Sequence, residues 1–356
     1  MKIGILTFHK ANNYGAVLQA YALQKHLLKS GFDAEIIDYR LSPKMNQVKL
    51  NFFDKIARYS YNPVNYMVRK VKQKKFQQFR DNYIRISNKT FFGDDQILSN
   101  PPNYDAYIVG SDQIWNTSIS NNSKAFYLHF VKKQKKIAYA ASFGKSQFDE
   151  DEINNIQEYL IDFDFLSVRE HQHQKMLSDM FGINAKVTLD PVFLLSKNEW
   201  IELSKPFRLP KKYILVYVLE YSEELFKHAG EMAKKLRCDV IYISLIEKKI
   251  NGKVLNGIGP REYLYAFANA NYICTNSFHG TAFSIIFEKN FTVVKHTTRN
   301  SRIENIIKLA GLKDRFYDVD TDKMEMIDYK EVNNKILVHI NESKKFIADA
   351  LDVNKE

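Results

Sequence analysis

The sequence predicts an α/β protein of two Rossmann-like parallel-sheet domains facing a cleft. Three observations predict it. The chain opens with an apolar strand, a polar glycine-containing loop, a helix and a second strand, a βαβ unit that implies a parallel sheet. Short apolar strands then alternate with helical stretches as far as about residue 195. After residues 196–212, which contain Pro206 and Pro210 and have no clear period, a second series of the same kind begins.

The first strand covers residues 2–8, and the loop after it is 9–15. A helix over about 16–30 carries Val17, Leu18, Tyr21, Leu27 and Leu28 on one side, with Gly31 placed to cap it. Residues 34–39 form the next strand, and 43–85 a mostly helical, basic insertion. Residues 104–110, 136–142, 163–168 and 186–189 read as short buried strands, with helices near 151–160 and 170–180. These elements make an N-terminal domain of residues 1–195.

The C-terminal domain, 196–325, follows. Its strands are 213–219, 240–245, 272–275 and 291–294, and its helices lie near 223–236, 261–269 and 281–288. A C-terminal helical segment, 326–356, ends the chain, amphipathic over about 329–351. Open α/β sheets bind ligands at the carboxyl ends of their strands. The loops that matter are therefore 9–15, 110–116, 167–171 and 276–281.

Composition fits this architecture. The chain has 356 residues, enough for two cores, with 45% apolar and 26% charged residues. Its two cysteines, Cys238 and Cys274, sit in or beside apolar runs, which suggests a reducing compartment and no disulfide framework. The N-terminus lacks a signal-peptide pattern, and no stretch approaches the roughly 20 apolar residues of a membrane span. The expectation is a soluble, cytoplasmic protein.

The formal charge of +11 favours anionic partners. Much of it is concentrated in Arg69-Lys70-Val71-Lys72-Gln73-Lys74-Lys75-Phe76-Gln77-Gln78-Phe79-Arg80. That run is read first as a solvated basic helix face; the sharper reading is a docking face for anionic membrane, peripheral at the inner face of the cell membrane, or for a lipid-phosphate-linked substrate. No recognised nucleic-acid-binding module accompanies it, so nucleic acid is not expected as a partner.

Four motifs carry chemistry. In Asn276-Ser277-Phe278-His279-Gly280-Thr281-Ala282, His279 lies between a strand and a helix N-terminus, where free N–H groups bind anions and Gly280 lets a ligand approach. Such a histidine transfers protons near neutral pH; the bland alternative is a capping or core histidine. In Ser167-Val168-Arg169-Glu170, Arg169 suits a bidentate grip on phosphate or carboxylate, or else forms a surface pair with Glu170.

In Gly110-Ser111-Asp112-Gln113-Ile114-Trp115-Asn116, Ser111 and Asp112 look like ligand-loop residues. Asp112 could accept sugar hydroxyls or serve as a base. Trp115 could stack on a sugar, although a buried anchor is the reading preferred for it. In Asn12-Asn13-Tyr14-Gly15, backbone amides before a helix could hold an anion or a sugar, although taken alone an ordinary polar strand-to-helix loop is the reading preferred for it. This loop matches neither a Walker loop nor a dinucleotide fingerprint. A weaker candidate is the run after 294, where Lys295, Arg299 and Arg302 could add positive charge near His279. His171 and His173 lack partners at metal-ligand spacing and are read as helix-surface residues.

These motifs, together with Asp190-Pro191-Val192-Phe193-Leu194-Leu195, occur in an order that resembles the polysaccharide pyruvyl transferase family. The resemblance spans about residues 3–305. It implies an architecture similar to GT-B glycosyltransferases, phosphoenolpyruvate as donor substrate with no cofactor or metal, and a sugar diol as acceptor, free or lipid-linked. The product would be a cyclic pyruvate ketal of a glycan or glycan precursor, as in exopolysaccharide, capsule or cell-envelope biosynthesis. His279 matches the family's catalytic histidine and Arg169 an arginine that holds the donor. Many members carry Arg two residues before that histidine, where this chain has Ser277. The alternatives are a nucleotide-sugar glycosyltransferase of the same architecture and a non-catalytic glycan- or phosphate-binding protein.

Overall fold

The structure, a computed structural model, describes residues 1–42, 63–145, 147–244, 250, 252–295, 300–317 and 325–352. The expected insertion therefore falls partly outside the described residues, as do Arg299 and the end of the 240–245 strand.

Seven parallel strands make the N-terminal sheet: β1 Lys2–Leu6, β2 Asp33–Arg40, β3 Ile86–Phe92, β4 Ala106–Val109, β5 Lys135–Ala141, β6 Phe165–Val168 and β7 Lys186–Val187, in the order β3-β2-β1-β4-β5-β6-β7. The central strand β4 is buried along its whole length, as a strand covered by helices on both faces must be. Helices α1 Tyr14–Lys29, α2 Pro63–Tyr83, α3 Glu150–Leu160 and α4 His171–Phe181 make the main crossovers.

The second sheet is also all parallel: β8 Tyr213–Val218, β9 Asp239–Ser244, β10 Lys253–Val254, β11 Tyr272–Thr275 and β12 Phe291–Val293, in the order β10-β9-β8-β11-β12. Its helices are α5 Glu223–Leu236, α6 Pro260–Ala268, α7 Phe278–Ile286 and α8 Ser301–Ala310. The long terminal helix, α9 Tyr329–Ala350, does not stand apart. Phe346 packs on Tyr139 and Phe165 of the first sheet, and the Ser343 hydroxyl accepts the Leu189 N–H at 2.9 Å. The chain thus ends by crossing back to the N-terminal domain.

Two differences from the sequence expectations have local causes. Strand β3 was not expected, because only Phe91 along it is fully buried and its Ser-Asn-Lys stretch faces solvent at the sheet edge. Helix α7 begins at Phe278 rather than at 281, because Ser277 is its N-cap and accepts from the Gly280 N–H. His279 therefore sits inside the first turn.

The two domains meet through aromatic side chains. Asn13 caps α1, accepting from the Ala16 N–H at 3.2 Å, and so turns Tyr14 into the second domain. Tyr14 is 1% exposed, stacks on Tyr263 at 4.5 Å between ring centroids, and donates its hydroxyl to the Ile258 carbonyl at 3.1 Å. Tyr217 meets both rings edge-on. Such pairs add about 0.5–1.5 kcal/mol each beyond the area they bury. Tyr14→Ala is expected to cost about 3–5 kcal/mol through the cavity it leaves. Tyr14→Phe, which loses only the hydroxyl bond, should cost about 1 kcal/mol. Urea unfolding of the two variants beside wild type measures the difference.

Candidate functional site

A cleft of about 340 Å³ opens at the carboxyl ends of the strands, between the domains. The N-terminal wall includes Phe8, Asn13, Asp112 and Gln113; the C-terminal wall includes Tyr217, Ser277, His279 and Arg302. Three of the expected loops, 9–15, 110–116 and 276–281, thus reach one cavity.

His279 is 8% exposed and clamped between the domains. Its ring lies on the α1 backbone at Gly15: a Cβ there would stand 2.1 Å from Nδ1 and 2.4 Å from Cε1. Only glycine allows that approach. On the other side, Nε2 is 3.6 Å from the Asp190 Oδ2 and buried, with no hydrogen-bond partner among the described residues. Asp190 itself is fully buried. Its Oδ2 is 3.1 Å from the Arg169 Nη1, and its Oδ1 accepts the Val192 N–H at 3.0 Å, capping the single 3-10 turn Pro191–Leu194. Burial pushes this carboxyl up. The Arg169 charge, the contact with His279 and the Val192 N–H outweigh it and hold the group down at about 2.

Arg169 is 2% exposed and does not line the cleft. Besides Asp190 it reaches Ser111, donating from Nη2 to Oγ at 2.7 Å, and its guanidinium lies over the Phe278 ring at 4.9 Å. The expected direct grip on a ligand gives way to a buried support behind His279. Its surface pairing with Glu170 is also absent. Glu170 turns instead to the Ser142 hydroxyl at 2.6 Å and to His173 at 2.8 Å. His173 is thereby corrected from a surface residue to a 1% exposed one, while His171 is exposed.

Other expected residues divide in the same way. Ser111 is wholly buried, donating to the Ala140 carbonyl at 2.8 Å. Trp115 is 1% exposed, donates to the Phe126 carbonyl and stacks on Tyr127, so it is an anchor and not a sugar platform. Gly280 serves packing rather than ligand approach, since a Cβ there would meet the Thr275 Oγ1 at 2.2 Å. Thr281 bonds back to the Ser277 carbonyl at 3.1 Å. Asn12 accepts from Arg80 at 3.2 Å, and Tyr14 belongs to the domain interface. Lys295 is exposed, with its ammonium over Phe316, and lies off the cleft wall.

Asp112 does line the cleft. Its backbone is left-handed at φ 71°, an uncommon conformation for a non-glycine residue that aspartate tolerates better than most, and its Oδ1 accepts the Gln113 N–H at 2.9 Å. Arg302 is buried at the cleft wall, its guanidinium 5.8 Å from the Phe278 ring centre.

Asp190 and Tyr217 lie outside the loops that the sequence marks as ligand-binding. The signal for Asp190 was present, an Asp directly before Pro191 at the start of a turn. Tyr217 could have been found as the polar-tipped residue near the carboxyl end of β8. Burial raises its hydroxyl's pKa, the nearby Asp112 charge adds to this, and a hydrogen bond with Ser277 opposes it.

Comparisons with known proteins agree with this architecture. The family model described as polysaccharide pyruvyl transferase matches residues 13–298. No curated protein matches in sequence. Among solved structures, the chain is similar to a putative UDP-N-acetylglucosamine 2-epimerase from Listeria monocytogenes, with 10% identity over 98% of this chain and 90% of that one and a TM-score of 0.52. It is similar too to UDP-GlcNAc 2-epimerase from Neisseria meningitidis bound to UDP-GlcNAc, with 10% identity over 99% and 100% and a TM-score of 0.50. The S. aureus MnaA–UDP structure is 11% identical over 100% and 98%, with a TM-score of 0.51. At such identities the likeness shows the fold alone, the two-domain GT-B arrangement.

The depressed Asp190 carboxyl has a consequence for stability. A group held below its unfolded value near 3.8 stabilises the fold above that pH, and the contribution is lost as pH falls toward about 2. The stability difference between wild type and Asp190→Asn should therefore shrink by about 2 kcal/mol on acidification across that window. Denaturant unfolding of both proteins at a series of pH values measures it; a constant difference would show that Asp190 carries no such charge.

Proposed function

The chain belongs to the polysaccharide pyruvyl transferase family, and from that premise we propose that it transfers pyruvate from phosphoenolpyruvate to a sugar diol of a glycan or glycan precursor. The observation that carries this reading is His279, in the first turn of α7 at a cleft that also holds Arg302 and Asp112.

The chemistry asks for three things. A donor with a carboxylate and a phosphate needs positive charge. Arg302 supplies it at the cleft wall, together with the partial positive charge of the α7 N-terminus. The enol carbon needs a proton. His279 delivers one to the donor's methylene carbon, which becomes the methyl group, and positive charge builds on the neighbouring carbon. Asp190, against Nε2, orients the ring and offsets the charge of its doubly protonated form. Arg169 keeps that carboxylate ionised and in place.

The acceptor needs orientation and somewhere to send its protons. Asp112 takes this part. One acceptor hydroxyl attacks the cationic carbon, the phosphate departs, and the second hydroxyl closes the ketal ring. Two hydroxyl protons are released. One restores His279, replacing the proton now in the methyl group, and the other leaves with the phosphate.

His279→Ala is expected to fold normally and to lower phosphate release from phosphoenolpyruvate, in the presence of acceptor, by about 10²–10⁴-fold. A folded variant with most of the wild-type rate would remove His279 from the mechanism. Arg302→Ala should weaken phosphoenolpyruvate binding by roughly 10- to 150-fold in calorimetric titration, with acceptor binding much less affected. The same titration with UDP- and GDP-sugars tests the nucleotide-sugar alternative. Heat from those ligands, with none from phosphoenolpyruvate, would transfer the site to that chemistry.

A further inference from the structure

Helix α2 divides its residues sharply. One stripe faces inward: Phe76 and Phe79 are buried, Lys72 lies over the Tyr14 ring at 4.8 Å, and Lys75 pairs with Glu262 of the second domain at 3.0 Å. Another stripe, Met67, Lys70, Val71 and Lys74, follows the i, i+3, i+4, i+7 spacing of a single helix face and is exposed throughout. Met67 is 58% exposed and Val71 45%. Of the six Lys or Arg on the helix, Arg69, Lys70 and Lys74 are exposed, while Lys72, Lys75 and Arg80 turn inward.

We propose that this outward stripe of α2 docks the protein on an anionic phospholipid bilayer. Lysines interleaved with exposed apolar side chains on one face are what a bilayer surface rewards. The ammonium groups meet lipid phosphates while Met67 and Val71 enter the headgroup boundary. The apolar members distinguish this face from a merely solvated one.

Position supports the same partner. At the carboxyl end of α2, Arg80 donates to the Lys10 carbonyl and the Asn12 side chain. That loop brings Ala11 and Asn13 to the cleft wall. At about 1.5 Å per residue, the stripe lies roughly 10–20 Å along the helix from this loop. A docked molecule would thus hold its cleft within a short reach of the headgroups, which fits an acceptor glycan carried on a lipid. The bilayer contact stands on the helix alone; only the lipid-linked acceptor rests on the pyruvyl-transfer reading.

The test is sedimentation of the full chain with vesicles of phosphatidylcholine alone and of phosphatidylcholine mixed with phosphatidylglycerol, at low and high salt. The expected result is binding to the mixed vesicles only, weakened by salt. Lys70→Gln with Lys74→Gln should lower that partition by about 30-fold. Met67→Ser with Val71→Ser should lower it at both salt levels. Phosphate release with a soluble acceptor should be unchanged in both variants, so loss of docking and loss of catalysis are read separately. Failure of the wild-type chain to bind the mixed vesicles, or equal binding by the lysine variant, overturns the proposal. So does binding of single-stranded RNA with the same lysine dependence and none to vesicles.

Discussion

The buried carboxylate of Asp190 is the group on which the site depends. It lies at the junction of the domains with Arg169, from its own domain, on one side and His279, from the other, on the second. A carboxylate removed from water costs several kcal/mol unless charge and hydrogen bonds replace its hydration. Here the Arg169 guanidinium and the Val192 N–H do so, and both belong to the N-terminal half of the chain. His279, from the second domain, adds to that compensation. Gly15 completes the clamp from the opposite side by removing the one carbon that would push the ring away. The aromatic contact of Tyr14 with Tyr263 and Tyr217 joins the same two domains.

Much of the fold was legible because its strands are buried on both faces and its helices carry strong end signals. The 223–236 helix and the 272–275 strand are found at the residues expected, since Ser222 caps the one and the other is an unbroken apolar run. Strand β3 was illegible for the opposite reason: an edge strand buries too little to show a period. In the site, His279, Ser277, Asp112, Asn13 and Arg302 could be listed from loop positions after strands, and the structure brings all five to the cleft wall. Which side chains stand behind that wall could not be read. Arg169 and Ser111 look like ligand contacts in sequence, because a polar residue at a strand end has the same local pattern whether it points outward or in, whereas Trp115 reads better as the buried anchor it is. Only the packing of β6 beside β5 and the turn at Asp190 decides the direction. Asp190 itself matters through contacts with residues 169 and 279, far apart in the chain, and no local pattern records such contacts.

The Ser277 departure has a physical account in the same geometry. The family's arginine two residues before the histidine would bring a charge to the first turn of α7, but it could not accept the Gly280 N–H as Ser277 does. With serine, the turn is capped and its hydroxyl is also placed to meet Tyr217. In the proposed reaction, positive charge at the cleft wall comes from Arg302 of α8. Phe278 is the means: Arg169 and Arg302 both lie over its ring, at 4.9 and 5.8 Å, so one aromatic side chain positions the buried cation that serves Asp190 and the cleft-wall cation beside His279. The α8 helix is tied to the same place by Asn305, which donates to the Arg169 carbonyl at 2.9 Å. Arg302 at the cleft wall thus stands on a helix anchored to the histidine's own support, and Phe278 is the side chain that both guanidinium groups share.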